Sequence, residues 1–247
     1  MPKVKVAVVI PARLSAKRFP RKVLARETGK YLVQHVYERA LGCPGIDRII
    51  IATDSTEVEE ACRSFGADVL MTSEKHVSGT DRVAEVALGL SHDVIVNVQA
   101  DEPLIEHRDL TSLVQLLTDD VVMTTLAVRR SDAEGFRDPN IVKVVVGESG
   151  NALYFSRSPV PAAPAGPAEW FHHLGMYGYR REFLLDYSKM PPTLLEKRER
   201  LEQLRVLENG YKIRVGLSPH RHLGIDTEEE YRGFVAEYLA ARPGRNA

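Results

Sequence analysis

The chain has 247 residues, 44% hydrophobic and 27% charged, and its 33 Lys+Arg against 34 Asp+Glu leave a net charge of -1. This length buries a sizeable core as one large domain or two small ones, and the charge balance excludes a global basic field for nucleic acid. No apolar run approaches the ~20 residues of a membrane span, and the run near Met1 is too short for a signal-peptide core. Cys43 and Cys62 offer no disulfide framework or metal spacing. The expectation is a reduced, cytoplasmic protein.

In chain order, KVAVVI (5–10) reads as a buried strand, and Leu32, Val33, Val36, Tyr37, Ala40 and Leu41 recur at helical spacing. RIIIATD is a second strand, 56–65 a helix stopped at Gly66, ADVLMT a third strand, and SGTDRVAEVALGL a helix opening on good N-cap residues. DVIVNVQ is a fourth strand running into ADEP. Such alternation predicts an α/β fold with a Rossmann-like, mostly parallel sheet flanked by helices. Ligands then bind beyond the carboxyl ends of the strands, which singles out the loops PARLSAKRFPRK, ATDSTE, MTSEKHVSGTDR and QADEP.

The second half is less regular. VVMTTLAV, IVKVVV, ALYFSR and HHLGMYGY read as strands, partly antiparallel, and 159–170 is a Pro/Ala-rich loop. Residues 181–188 and 194–208 read as helices, KIRVGLS as a strand, and 227–241 as a closing amphipathic helix. The expectation is a single domain over 1–247, with a β-rich lobe at about 125–180.

Five constellations bear on chemistry. Arg13, Lys17, Arg18, Arg21 and Lys22 follow the first strand within ten positions. Cations at a strand end fit phosphate oxygens, and they equally fit a solvated loop; a Walker glycine pattern is missing. Asp101, after Gln99 and before Glu102 and Pro103, fits either a Mg²⁺ ligand or a helix cap. Asp226 has the same two readings, with Glu228 to Glu230 complementing a helix dipole. His173 and Tyr177 lie four apart on a strand and so face one side, while Gly175 and Gly178 permit close approach of a ligand or backbone. Glu202 and Gln203 offer acceptors to sugar hydroxyls, on what otherwise reads as a solvated helix. Ser78 and Arg82 sit in a Ser-Gly-Thr turn that suits an anion, a base edge or a plain cap. His220-Arg221-His222 reads as a surface turn rather than a zinc site.

Taken together, PARLSAKRFPRK, ATDSTEV, SGTDRVAEV, VNVQADEP, ALYFSRSPVP, HHLGMYGY, LEQLRVLENG and GIDTEEE resemble the 3-deoxy-manno-octulosonate (Kdo) cytidylyltransferases over residues 4 to 240. The resemblance implies a nucleotidyltransferase fold and the reaction CTP + Kdo → CMP-Kdo + diphosphate, serving lipopolysaccharide synthesis. It implies Mg²⁺ and a homodimer, for which the 125–180 lobe is a candidate interface. By the same resemblance Arg13, Arg18 and Lys22 grip the triphosphate, and Asp101 and Asp226 hold Mg²⁺. Pro11, Ala12, Ser78 and Arg82 border the nucleotide, while Gln99, His173, Tyr177, Glu202 and Gln203 line the sugar pocket. Arg82 is also the candidate partner of the Kdo carboxylate.

The family usually reads PAR-x-x-S-T-R-L-P-G-K and V-Q-G-D-E-P. Here Ala16 and Lys17 replace Ser-Thr, Arg21 replaces a glycine and removes freedom for positive φ, and Ala100 replaces another glycine. An amino-substituted Kdo or sialic acid as substrate, or a non-catalytic nucleotide or sugar sensor, are the alternative readings.

Overall fold

The computed structural model describes residues 4–16, 18–76, 78–163, 166, 169–220, 222 and 224–241. Lys17, Arg221 and four positions of the Pro/Ala-rich loop, for which readings were made above, lie outside the described residues.

Strands β1 (Val6–Pro11), β2 (Arg48–Thr53), β3 (Val69–Met71) and β4 (Val94–Asn97) alternate with helices α1 (Leu32–Ala40), α2 (Thr56–Arg63) and α3 (Gly79–Leu88). After them come α4 (His107–Gln115), β5 (Met123–Arg130), α5 (Ala133–Arg137), β6 (Lys143–Val146), β7 (Ala152–Ser156) and β8 (Trp170–Arg180). The chain continues through α6 (Arg181–Tyr187), α7 (Leu194–Glu199), α8 (Leu204–Glu208), β9 (Ile213–Leu217) and α9 (Glu228–Ala240).

The sheet runs β3-β2-β1-β4-β8-β5-β9. β1 pairs in parallel with both β2 and β4, β8 is antiparallel to β4 and β5, and β9 is parallel to β5. One reversed strand thus sits inside an otherwise parallel main sheet. β1 is buried throughout, and its side chains alternate between two cores. Val6, Val8 and Ile10 face the cluster under α1 and α4, while Ala7 and Val9 face the one under α3 and α6. Burial on both faces explains why the strand reads as a continuous apolar run.

Within 125–180, β5 and the end of β8 are central strands, whereas β6 and β7 form a hairpin that joins the sheet off this path, through β8. The segment 194–208 is not one helix. α7 stops at Arg200, whose φ of 57° and ψ of 47° are left-handed, and α8 begins at Leu204. A buried ion pair between Glu196 and Arg205 (2.5 Å) holds the two short helices across the break. No glycine or proline marks this break in the sequence, which is why the periodicity runs through it.

Gly178 on β8 shows why the strand tolerates no side chain there. A Cβ would meet Thr124 Oγ1 at 2.5 Å and the Leu113 carbonyl oxygen at 2.9 Å, whereas one on Gly175 would meet only Gln99 Cγ at 3.8 Å. Gly178→Ala is therefore expected to lower stability by about 1–3 kcal/mol in urea unfolding, and Gly175→Ala to stay within about 0.5 kcal/mol. Equal losses at the two positions would contradict this packing.

Candidate active site

The chain leaves β1 toward β2 on one side, and β4 is added later on the other. The loops after β1 and β4 therefore diverge and open a crevice beyond the carboxyl ends of the strands. Pro11, Arg13, Ser15, Ala16, Arg18, Lys22, Gln99, Ala100, Asp101 and Asp226 line a cleft there of about 490 Å³. Asp226 arrives from the far end of the sequence because the Ile225 N–H bonds the Asp101 carbonyl at 2.9 Å, joining the two acid-bearing loops.

The centre of this cleft is a charge cluster. The Lys22 ammonium donates to the Asp101 carboxylate, to Asp226 Oδ1 at 3.1 Å and to the Ile225 carbonyl at 2.8 Å. Arg18 Nη2 holds the other Asp226 oxygen at 2.6 Å. Burial works against the charge on Lys22, but the Asp101 and Asp226 carboxylates outweigh it and hold the ammonium above its ordinary pKa. Burial raises Asp101 despite Lys22 beside it. Glu102 is pushed up to about 8 by burial and then by its acidic neighbours Asp101 and Asp226. Among the described residues no three His, Cys, Asp or Glu side chains converge as a metal cage. Two hard carboxylates facing a phosphate-sized cleft nonetheless fit Mg²⁺, which takes one or two carboxylates and completes its shell with water and phosphate. The lysine ammonium resting on both carboxylates shows that they converge closely enough to share one cation.

Two further cavities meet the cleft at Gln99. One, about 260 Å³, is lined by Arg13, Gly79, Thr80, Tyr177, Arg200, Glu202 and Gln203 among others. The other, about 660 Å³, includes Arg18, Asp101, Asp226, Asn140, His172, His173, Tyr177 and Gln203. The break between α7 and α8 is what turns Glu202 and Gln203 inward. Thr80 Oγ1 donates to Glu202 Oε2 at 2.7 Å, and burial raises the Glu202 pKa. Gln203 is 3% exposed, and its Nε2 has no protein partner among the described residues, so a donor is left for a bound hydroxyl or carbonyl. His173 and Tyr177 do share a side. Their rings lie 5.6 Å apart, and the register shift in β8 between Leu174 and Tyr177 spans two residues, which preserves facing. His173 bonds Thr125 Oγ1 at 3.0 Å, and burial drops its pKa to about 3, so the imidazole is neutral at pH 7.

Other expected residues lie elsewhere. Ala12 is buried, its N–H bonded to the Ala52 carbonyl. The Ser78 hydroxyl is spent on α3, accepting from the Asp81 N–H at 3.1 Å and donating to the Asp81 carboxylate at 2.9 Å. Arg82 is 0% exposed; its guanidinium bonds Thr72 and holds Asp54 Oδ2 at 2.5 Å. A side chain so enclosed does not reach a substrate carboxylate, and the Ser-Gly-Thr turn presents Gly79 and Thr80 to the cavity instead. His222 is not on a surface turn: its ring is buried, 2.9 Å from Ser218 Oγ and 3.5 Å from Asp109 Oδ2. Arg21, in the place of the family glycine, adopts φ 62° and ψ 18° all the same, and its guanidinium pairs with Glu57. That backbone costs a side-chain-bearing residue ~1–2 kcal/mol. Sequence reasoning passed over Arg200, since nothing in the local pattern separates it from an ordinary helix, whereas Thr80 lies in the Ser-Gly-Thr turn already singled out.

Arg82→Met leaves Asp54 without its buried partner. It is expected to cost about 3 kcal/mol or more in urea unfolding. A variant as stable as the parent, with only its nucleotide or sugar KM changed, would return Arg82 to the substrate.

Comparison with known proteins bears on the same residues. A family model described as cytidylyltransferase matches residues 7–213. The 3-deoxy-manno-octulosonate cytidylyltransferase of Solibacter usitatus is 50% identical over 230 residues, 92% of this chain and 91% of that protein. The enzyme of the same name from Geobacter metallireducens is 46% identical over 92% of this chain and 94% of its own. A solved structure of CMP:2-keto-3-deoxy-manno-octonic acid synthetase complexed with CTP superposes with a TM-score of 0.91 at 39% identity, covering 96% of this chain and 100% of that one. A cytidylyltransferase from Leptospira borgpetersenii, 16% identical with a TM-score of 0.65, shares the fold. With half its residues shared over nine-tenths of both lengths, and with acids and cations gathered at the β1–β4 crevice, the chain belongs to the 3-deoxy-manno-octulosonate cytidylyltransferase family.

Proposed function

We propose that this chain transfers CMP from CTP to the anomeric hydroxyl of Kdo, giving CMP-Kdo and diphosphate for lipopolysaccharide synthesis. The observation that carries the reading is the meeting of three features at Gln99 and Asp101: a cationic cleft, a carboxylate pair and a polar cavity of sugar size. The superposition on a CTP-bound synthetase supports it.

The sugar hydroxyl oxygen attacks the α-phosphorus and yields its proton to water as the new O–P bond forms, and the α-phosphorus bond to the oxygen shared with the β-phosphate breaks in line. Positioning and charge stabilisation dominate such a transfer. Arg13, Arg18 and Lys22 bind the triphosphate and meet the charge that grows on the leaving diphosphate. Pro11 and Arg13 border the nucleotide. Gln99, His173, Tyr177, Glu202 and Gln203 hold the sugar and aim its hydroxyl. Neutral His173 offers a hydrogen bond without adding charge beside an acidic sugar. Asp101 and Asp226 would hold Mg²⁺, which when bound polarises the α-phosphate and lowers the pKa of the attacking hydroxyl.

Among the described residues no helix is long and apolar enough to cross a membrane. The reading places the enzyme in the cytoplasm, where CTP is supplied. It also suggests a homodimer contact in 125–180: among the described residues β7 pairs as a strand with β6 alone, and it carries the 64% exposed Leu153, at a sheet edge of the kind that proteins cover.

The test is diphosphate release by the full chain with Mg²⁺ and CTP, with Kdo, 8-amino-Kdo and sialic acid as separate acceptors. Release with Kdo well above the other two is expected. Release only with another acid would keep the chemistry and reassign the acceptor. CTP binding without release for any acceptor would overturn the enzyme reading in favour of a sensor.

A further inference from the structure

The carboxylates that suit a divalent cation are already held by the chain's own cations. Lys22 spans Asp101, Asp226 and the Ile225 carbonyl, and Arg18 takes the remaining Asp226 oxygen. The Lys22 side chain is only 12% exposed, so its ammonium has exchanged water for these three oxygens. Three oxygens around one buried ammonium is the nest a hard metal ion would use. The cluster is also balanced, two cations on two carboxylates, and offers an incoming dication no net attraction.

The same Lys22 and Arg18 line the cleft that faces the triphosphate. A metal arriving alone would have to evict the Lys22 ammonium and leave a poorly solvated charge without a partner, which is strongly unfavourable. A nucleotide triphosphate removes that obstacle. Its oxygens receive Lys22 and Arg18 as the carboxylates are released, so both sets of charges stay paired throughout the exchange.

We propose that Lys22 is a placeholder for the divalent cation, occupying the Asp101–Asp226 pair until the triphosphate of CTP draws it away, so that the metal site opens only as nucleotide binds. This rests on the reading of Asp101 and Asp226 as the metal-holding pair. Lys22 so has two positions, one on the acids and one on the phosphates. The placeholder keeps the two acid loops together before substrate arrives and keeps metal from settling in a nucleotide-free site.

Manganese binding by the nucleotide-free protein, followed by electron paramagnetic resonance, tests it. The wild type is expected to bind Mn²⁺ weakly. Lys22→Gln is expected to bind one Mn²⁺ at least about tenfold more tightly, and adding Asp101→Asn to it should abolish the gain. Lys22→Met guards against an effect peculiar to glutamine, and circular dichroism checks the fold of both. If neither variant binds Mn²⁺ more tightly than the wild type, the placeholder is refuted. A separate arm examines the wild type and Asp101→Asn with CTP and Mn²⁺. Identical spectra there would overturn the metal-holding role of Asp101 itself, a failure distinct from the first.

Discussion

The parallel pairing of β1 with β2 on one side and β4 on the other is the constraint from which the site follows. It puts the carboxyl ends of β1 and β4 at one edge of the sheet, and the change in strand direction of travel opens the crevice between them. The charged groups of the cleft are then supplied by the segments beyond the strand ends, and β1 beneath them is wholly apolar. Val8 and Ile10 on one face and Ala7 and Val9 on the other make β1 a rigid base for the Arg13–Lys22 loop. The Ile225–Asp101 backbone bond brings in the C-terminal acid.

On this proposal, electrostatics in this crevice is a matter of partner exchange. A chain of almost no net charge concentrates cations and acids at one place and pairs them with each other before ligand arrives. Burial makes the Lys22–Asp101 pair persistent, because an ion left alone at a part-buried position is costly. In the proposed exchange the same pairs are transferable, since triphosphate and dication together would offer each group a replacement. Arg21 fits this picture as a local cost: the left-handed backbone before Lys22 persists with an arginine where the family has glycine, and the contact with Glu57 ties that turn to α2.

Much of this was legible in the residues. Continuous apolar runs marked β1, β2 and β4, because parallel strands are buried on both faces, and their ends marked the loops. Gln99 and Asp101 were visible by their position after such a run, Lys22 as one of the clustered cations after β1, Asp226 by its place at the entry to the last helix, and all four by resemblance. What was not legible depended on tertiary contacts. Arginine is a good helix former, so nothing flagged Arg200 as the break that exposes Glu202 and Gln203 to the cavity; that break is held by the distant pairing of Glu196 with Arg205. Arg82 reads as a ligand group through the resemblance and as a cation for the Kdo carboxylate, and only the packing of β2 and β3 brings Asp54 and Thr72 to it. His222 reads as surface because the histidines show no metal-binding spacing, and α4 brings Asp109 beneath it.

The account stands most directly on Asp101, which joins the cationic cleft, the C-terminal acid and the cavity proposed for the sugar. The decisive measurement is the turnover number of Asp101→Asn with saturating CTP, Kdo and Mg²⁺, alongside circular dichroism and urea unfolding. The substitution keeps the shape and removes the charge. The account predicts a native-like fold with turnover reduced by about 10²-fold or more, the scale on which loss of one electrostatic contact in a transition state is felt. A folded variant turning over at near the parent rate would contradict it.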